Sequence, residues 1–192
     1  MVRLGRNFSP PTPERSCDFF TVDTVLLRTL YVLVLLEIGS RRILYANCTA
    51  HPNAAWVTQQ ARNLSWEMNQ LEAPIKLAIH DRDAKFVDEF DDVLRAEGAK
   101  VTLTPFRCPK ANAHCERMIK TLCATRRWTG CSSSASATLR SVLRQYVDHY
   151  NRQRLHLALD LHPPQPATAV GSGPVLREQR LYGLINEYRR AA

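Results

Sequence analysis

The sequence lacks the features that would place it in a membrane or in an oxidising compartment. Its longest uninterrupted apolar run, Leu30–Leu36, is too short to span a bilayer, and Arg28 and Glu37 flank it. The six cysteines form no CxxC pair, and the first residues have no apolar stretch typical of a secretory signal. We therefore expect a cytoplasmic protein with reduced thiols and no membrane partner.

Acidic residues are scarce in the second half of the chain. Residues 100–192 contain 15 Lys and Arg against 5 Asp and Glu, a net charge of +10. Residues 1–99 contain 11 against 13, a net charge of −2. A basic half joined to a half that carries carboxylates is typical of a protein that grips a polyanion and cuts it. A basic surface that only keeps the protein soluble is the alternative explanation.

Hydrophobic periodicity predicts an α/β domain behind a disordered lead-in. Residues 1–16 contain three prolines and little periodicity. From Cys17 onward, three strand-like runs are followed by helices that alternate with short strands, in the order βββαβαβαα. This order predicts a mixed sheet, antiparallel in its first three strands and flanked by helices. Residues 165–192 are predicted to form a C-terminal tail with a short helix.

Three acidic residues occupy informative positions in these elements. Asp18 lies in the first strand, Asp81 directly follows the strand IKLAIH, and Glu116 lies in the predicted helix AHCERMIKTLCATRR. Carboxylates a few ångströms apart raise one another's pKa and repel. A divalent cation with oxygen ligands, most often Mg²⁺ where phosphate is the substrate, is the usual compensation. Ligands of α/β sheets bind at the carboxyl ends of strands, which is where Asp81 is predicted to lie.

Four stretches of the chain resemble the integrase core of retroviral integrases and insertion-sequence transposases. They are DFFTVDTVLLRTLYVLVLLEIGSRRI, IHDRDAKF, TPFRCPKANAHCERMIKTL, and YNRQRLHLAL followed by HPP. The resemblance covers residues 17–164 and implies an RNase H-like fold. Its most specific element is a strand-end acid followed, about thirty-five residues later, by NAxxER on a helix.

The resemblance implies a catalytic triad of the DDE type formed by Asp18, Asp81 and Glu116. In such cores the carboxylates hold two Mg²⁺ or Mn²⁺ ions. The implied reaction is hydrolytic nicking at the ends of a DNA element, followed by strand transfer into target DNA during DNA integration. The implied partners are element-end and target DNA and further copies of the chain, and the implied location is the bacterial nucleoid.

Each acid of the implied triad has a rival explanation. Alternation places Asp18 and Asp23 on opposite faces of the first strand, so only one of them can face a shared cation; alignment with the family favours Asp18. Asp83 competes with Asp81, but it stands where a helix N-cap is expected. Glu116 taken alone is better explained as a solvated helix position, but Asn112 four residues earlier on the same helix face, with Arg117 and Lys120 nearby, favours the functional explanation.

The resemblance also indicates residues that contact DNA near the catalytic helix and at the end of the core. They are Lys110, Asn112, Arg117, Lys120, Arg152 and Arg154. Contacts of this kind set affinity and its salt dependence more than sequence choice. Each of these residues, taken singly, is also explained as an ordinary surface residue.

The sequence departs from the family pattern in two places, and these departures keep other functions open. No helix-turn-helix that would read element ends precedes the core. Residues 128–138, WTGCSSSASAT, replace an amphipathic segment, as two compensating frameshifts in a degraded copy would. The alternative function is therefore a non-catalytic DNA-binding or assembly module. A third possibility is a tyrosine recombinase, with His149 and Arg152 as an HxxR pair and Tyr182 as the nucleophile.

Overall fold

The structure is a computed structural model that describes residues 14–24, 28–70, 75–104, 135–166, 171–181, 183 and 185–191. The strands are β1 (Glu14–Asp23), β2 (Thr29–Glu37), β3 (Ile43–Thr49), β4 (Leu77–His80), β5 (Lys100–Leu103), β6 (Val175–Arg180) and β7 (Ile185–Arg190). The helices are α1 (Ala54–Gln70), α2 (Asp88–Ala96) and α3 (Ala135–Arg152), with a short 3₁₀ helix at Leu157–Leu159. None of the helices described is long and apolar enough to cross a membrane.

Five strands form one mixed sheet in the order β3-β2-β1-β4-β5. β1, β2 and β3 pair antiparallel, and β4 and β5 run parallel to β1. The predicted α/β architecture, with a mixed sheet that is antiparallel in its first three strands, is confirmed. β2 is apolar at almost every position because it lies inside the sheet with cores on both of its faces.

The alternation of side chains along the strands builds two separate apolar cores. Leu33 and Leu35 of β2 face a core completed by α1 and α2, whereas Val32 and Val34 face a core completed by α3. In β1, Cys17 belongs to the first core, and Phe20, which projects to the opposite face, belongs to the second. The sheet is therefore covered by helices on both faces, as expected of a layered α/β domain.

The ends of α1 and α2 show how far local signals determined the helices. The Asn53 side chain accepts a hydrogen bond from the backbone N–H of Trp56 at 2.9 Å and so acts as the N-cap of α1. Gly98 follows α2 with φ of +86°, a conformation that favours glycine at a helix end. The predicted start of α2 near Asp83 is wrong: the helix begins at Asp88, after a turn.

Among the tail residues that the structure describes, none forms the short helix that the sequence suggested. β6 and β7 instead form an antiparallel hairpin. Gly183, with φ of +84°, lies in the reversal and provides backbone freedom that a helix would not use. Leu181 is buried in the core beside α3, and Ile185 packs against that core, so tertiary burial holds the hairpin in place.

Candidate active site

Asp18 lies in the middle of β1 and is almost completely buried. It is 7% exposed and is paired across the sheet with Val34 of β2. Its Oδ1 accepts the backbone N–H of Phe19 at 2.8 Å. Because a strand inside a sheet holds its backbone rigidly, the position of this carboxylate is set by the fold rather than by a loop.

The parallel pairing of β1 with β4 brings Asp81 to the level of Asp18. Ser16 is paired with Ile79, and the two acids each lie two residues beyond that pair along their own chain segments. Adjacent strands are about 4.8 Å apart, so continuing the register makes the two carboxylates neighbours. Asp81 is partly exposed at the end of β4, while Asp18 is buried behind it.

The same alternation places both acids on one face of the sheet. Asp18 and Phe20 are two residues apart on β1, so their side chains project to the same face, and Phe20 belongs to the core beside α3. Asp81 shares its parity with Ile79, the β4 residue paired with Ser16 on that face. Ala78 and His80 have the opposite parity and lie on the face covered by α2. The register, continued by two residues, therefore places Asp18 and Asp81 on the face beside α3, at the carboxyl end of β4. Oδ1 of Asp81 also accepts the backbone N–H of Asp83 at 3.1 Å.

The rival acids have other partners. Asp23 is exposed at the end of β1, on the opposite face from Asp18, and its Oδ1 accepts the hydroxyl of Thr29 at 2.7 Å. Asp83 does not cap α2 as expected; its carboxylate accepts the backbone N–H of Lys85 at 3.0 Å and forms an ion pair with the ammonium group. Burial opposes the ionisation of Asp83, but the bonds from Lys85 outweigh it and hold its pKa below the ordinary value. The carboxylates of both rivals therefore have hydrogen-bond donors of their own.

A buried histidine immediately before Asp81 fixes the strand end, and sequence reasoning missed it. The Nδ1 of His80 lies 2.7 Å from the carbonyl oxygen of Asp81, and its Nε2 lies 2.8 Å from Oδ1 of Asp91 on α2. A carbonyl oxygen can only accept, so Nδ1 carries the hydrogen of the first contact. Arg95 holds the other carboxylate oxygen of Asp91 at 2.9 Å. The chain of contacts thus ties the backbone at Asp81 to α2.

The rings around His80 explain why this contact is rigid. The imidazole is 3% exposed and lies 4.3 Å, centroid to centroid, from Phe86 and 6.1 Å from Phe90. The sequence does contain a signal for it: Asp91 is the acid that falls between the buried positions Phe90 and Leu94 of an amphipathic helix. An acid on the buried side of a helix needs a buried partner, and the strand-end histidine is that partner.

The other predicted site residues divide into two groups. The first group lies outside the described residues. It consists of Glu116, the DNA-contact residues Lys110, Asn112, Arg117 and Lys120, and residues 128–134 of the anomalous segment. Arg152 and Arg154 are described at the end of α3. Arg152 is exposed and paired with Asp148 at 3.0 Å, and Arg154 lies 5.7 Å from the centre of the Tyr150 ring.

Arg152 lines a basic groove of about 620 Å³ along the outer edge of β3. Arg42, Arg140 and Arg144 also line it, and Glu67 and Asp148 are the acids in its wall. Neither Asp18 nor Asp81 takes part. The groove is therefore a surface of positive charge distinct from the pair of acids.

The donor chemistry of the Asp18 and Asp81 carboxylates suits a divalent cation. Asp18 and Asp81 supply hard oxygen ligands, which Mg²⁺ and Mn²⁺ prefer. Within the described ranges there is no cluster of three or more His, Cys, Asp or Glu that could hold a metal ion. A complete site at Asp18 and Asp81 consequently needs a further ligand from outside these ranges, which is where Glu116 lies.

The residues that suggested a tyrosine recombinase have structural partners. The Nδ1 of His149 lies 3.0 Å from Oε1 of the buried Glu187 on β7, and Arg152 pairs with Asp148 on its own helix. Tyr182 lies outside the described residues. His149 therefore fastens the hairpin to α3, which removes it from the role of a recombinase histidine.

Comparison with known proteins identifies both a domain and a fold. Residues 97–164 match the family model of the integrase core domain. No curated protein sequence matches the chain significantly. The resemblance to integrase cores inferred from the sequence is confirmed by this match together with the structural neighbours.

The structural neighbours are integrase and transposase catalytic domains. A chain of the simian T-cell lymphotropic virus intasome, in complex with PP2A regulatory subunit B56 gamma, superposes with a TM-score of 0.56 at 15% identity, over 94% of this chain and 67% of that chain. The catalytic domain of Mos1 mariner transposase gives 0.55 at 15% identity, over 71% and 70%. The catalytic core of BIV integrase gives 0.51 at 14% identity, over 78% and 90%. At these identities the likeness establishes the RNase H-like fold.

Proposed function

Because the chain has an integrase core domain on an RNase H-like fold, we propose that it is a metal-dependent DNA strand transferase of the DDE type. Its catalytic and metal-binding residues are Asp18, Asp81 and Glu116. The observation that carries the proposal is the matched position of Asp18 and Asp81 on two neighbouring parallel strands, on one face of the sheet. Carboxylates that lie close together repel, and a divalent cation with oxygen ligands is their usual compensation.

The proposed cofactor is a pair of Mg²⁺ or Mn²⁺ ions held by these carboxylates. When bound, the ions activate an oxygen nucleophile and stabilise the departing 3′-oxygen of a phosphodiester. Among the structural neighbours, the Mos1 transposase catalytic domain was solved with Mn and the HTLV-2 integrase catalytic core domain in complex with magnesium. We propose the same chemistry for this chain because Asp18 and Asp81 supply oxygen ligands.

The chain's own residues position the substrate and the ligands. β1 holds the Asp18 carboxylate in a rigid strand, and the contact between His80 and the Asp81 carbonyl restrains the strand end that carries the second carboxylate. Rigid placement matters because a misplaced ligand loses much of the benefit of proximity. Glu116, on the helix predicted after β5, completes the triad in this proposal.

The proposed substrate is DNA, as the end of an element and as the target. The second half of the chain carries a net charge of +10, which favours association with a phosphate backbone. Lys110, Asn112, Arg117 and Lys120 are proposed to contact DNA beside the triad, and Arg152 and Arg154 to extend the basic surface. Assembly into multimers on DNA, and a place at the nucleoid, follow from the same proposal.

A nicking and strand-transfer assay tests the function. Supercoiled plasmid and a labelled oligonucleotide with a free 3′-hydroxyl are incubated with the protein and Mn²⁺. We expect nicked plasmid and labelled joint products from the wild type, and a loss of at least about 100-fold for Asp81→Asn and Glu116→Gln, since each removes a charged metal ligand. Asp83→Asn is the matched control and should keep activity.

The alternative function gives a different pattern in the same assay. A non-catalytic DNA-binding or assembly module, or a degraded copy altered at residues 128–138, binds the plasmid but yields no product that depends on the three acids. Product formation that persists in Asp81→Asn and Glu116→Gln would refute the proposed triad.

A further inference from the structure

We propose that one face of the C-terminal hairpin is a second DNA-binding surface, separate from the acids of the core. We call it the outer hairpin face. It is formed by Val175, Arg177, Gln179, Asn186, Tyr188 and Arg190. The inference rests on the proposed function for its ligand, DNA, but on different residues for its evidence.

The pairing of β6 with β7 defines this face. Arg177 is directly opposite Tyr188, and Arg190 is directly opposite Val175. Directly opposed residues of an antiparallel pair project to the same side of the sheet. The Nε of Arg177 also donates to Oδ1 of Asn186 at 3.0 Å, which confirms that these side chains lie together.

The other face of the hairpin is anchored to the core. Glu187 is 7% exposed and lies 3.0 Å from the Nδ1 of His149 on α3. Ile185 packs against the apolar core on that side of the sheet. This attachment fixes the orientation of the hairpin, so the outer hairpin face is directed away from α3.

The charges of the hairpin are segregated between its two faces. Arg180 pairs with Glu178 at 3.1 Å and with Glu187 at 3.2 Å, and Arg189 pairs with Glu178 at 3.5 Å. Both acids therefore lie on the anchored face with their basic partners. The outer hairpin face carries Arg177 and Arg190 and no acid, and within the described part of the chain neither arginine forms an ion pair. Its positive charge is available to an external anion.

The remaining side chains of this face favour a nucleic acid over an acidic protein. Tyr188 is 62% exposed between the two arginines, which is unusual for a large aromatic ring but suits packing against a sugar or a base. The guanidinium groups match phosphate geometry. The amides of Gln179 and Asn186 can both donate and accept, as base edges require. A two-stranded ribbon is also narrow enough to enter the major groove of a DNA duplex.

The hairpin lies on the side of the sheet toward which Asp18 projects. Its anchor residues Leu181 and Ile185 join the core beside α3, and Phe20, which has the parity of Asp18, belongs to that core. A DNA duplex that crosses the carboxyl end of β4 can therefore continue along the same layer. The hairpin would hold DNA without taking part in the chemistry.

DNA binding by the full chain in EDTA tests the proposal, because no metal-dependent step can then contribute. Fluorescence anisotropy with a labelled 30-base-pair duplex is measured at two salt concentrations. For Arg177→Gln with Arg190→Gln we expect binding about 10-fold weaker and a salt slope smaller by roughly 1.8, since two phosphate contacts are lost. Tyr188→Ser should weaken binding, and Tyr188→Phe, which keeps the ring, should not.

The matched control removes the same charge elsewhere. Arg62→Gln with Lys100→Gln changes exposed residues of α1 and the start of β5 and should alter affinity less than about twofold. Equal losses in the two double variants would show that net charge alone matters and would overturn the proposal. Competition by polyglutamate as effective as competition by DNA would instead identify a surface for acidic proteins, and would also overturn it. Circular dichroism verifies that each variant is folded.

The result is independent of catalysis. If Asp81→Asn abolishes strand transfer while binding still depends on Arg177 and Arg190, both proposals stand. If no triad-dependent product forms but the hairpin variants still lose affinity, the proposed function fails and the hairpin surface stands. If strand transfer depends on the triad but the hairpin variants bind normally, only the hairpin proposal fails.

Discussion

Asp18 on β1 and Asp81, which directly follows β4, each lie two residues beyond the pair formed by Ser16 and Ile79 on these adjacent parallel strands. The first is held inside the sheet and the second at its carboxyl end, and strand alternation turns both toward α3. Neighbouring strands are about 4.8 Å apart. The fold therefore brings to one level of the sheet two acids that are sixty-three positions apart in the sequence, and their oxygens are ligands that small divalent cations prefer.

Divalent cations should stabilise the folded protein through these two carboxylates. At a Mn²⁺ concentration 100 times the dissociation constant, a single site adds about 2.7 kcal/mol to the free energy of unfolding. We expect the thermal midpoint of the wild type to rise on addition of Mn²⁺, and expect Asp18→Asn and Asp81→Asn to lose most of that rise. Asp83→Asn, whose carboxylate pairs with Lys85, should respond like the wild type. Equal responses from all three variants would contradict a cation site at Asp18 and Asp81.

His80 should act as a positioning residue for Asp81. His80→Ala removes both contacts of the imidazole and leaves one oxygen of Asp91 without its buried partner, so unfolding in urea should show a loss of about 1–3 kcal/mol. His80→Asn retains a donor near the Asp81 carbonyl and should recover much of the Mn²⁺-induced stabilisation, even where overall stability stays low. His80→Gln places its amide nearer Asp91 and should recover less. Identical Mn²⁺ responses from His80→Ala and the wild type would refute the positioning role.

Asn151 should be a structural residue of the tract YNRQRLHLAL rather than a DNA contact. Its side chain accepts from the backbone N–H of Ile43 at 2.9 Å and donates to the carbonyl of the same residue at 2.8 Å. Asn151→Ala therefore leaves two backbone groups of an edge strand unpaired and should lower the free energy of unfolding by about 2–4 kcal/mol. The control Asn69→Ala, which removes one exposed hydrogen bond to Glu97, should change it by less than about 1 kcal/mol. A mild effect of Asn151→Ala would mean that the edge of β3 does not need this cap.

Cys48 should be unreactive in the native protein at moderately alkaline pH. Burial raises the pKa of its thiol to about 11, although Arg140 opposes the shift. The thiol of an unfolded chain has a pKa of about 8.5. Between this pH and the folded-state pKa, the unfolded chain loses a proton that the folded chain retains. Folding stability due to this group is therefore complete below about pH 8.5 and is lost as the pH rises toward 11.

Alkylation with iodoacetamide at pH 8, followed by peptide mass spectrometry, tests the state of this thiol. Cys48 should be modified only after denaturation. In urea titrations, Cys48→Ala should lose less stability than the wild type between pH 8 and pH 10.5. Rapid alkylation of Cys48 in the folded protein would contradict the burial described.

The fold was largely predictable because its signals are local. Strand alternation, an N-cap such as Asn53 and a helix-ending glycine such as Gly98 each depend on a few neighbouring residues, and the predicted mixed sheet, antiparallel in its first three strands, was confirmed. The start of α2 was not predictable in this way. Asp83 stands where an N-cap was expected, but the bonds between Asp83 and Lys85 stabilise a turn instead.

The errors in the tail and at the site have tertiary causes. The hairpin depends on the contact between Glu187 and His149 and on the burial of Leu181, neither of which a periodic pattern in the sequence reveals. The role of His80 depends likewise on Asp91, eleven residues away on another element. By contrast, strand alternation alone predicted that Asp18 and Asp23 lie on opposite faces of β1, and these are the faces observed; the choice of Asp18 came from alignment with the family.

The most direct test of a cation site at Asp18 and Asp81 is the anomalous difference map of a crystal grown with Mn²⁺. We expect a peak between the carboxylates of Asp18 and Asp81, with oxygens of both at about 2.1 Å, close to the distance typical of small octahedral divalent cations. A carboxylate of Glu116 should complete the coordination. The absence of a peak at saturating Mn²⁺, or an Asp18 side chain directed away from Asp81, would contradict it.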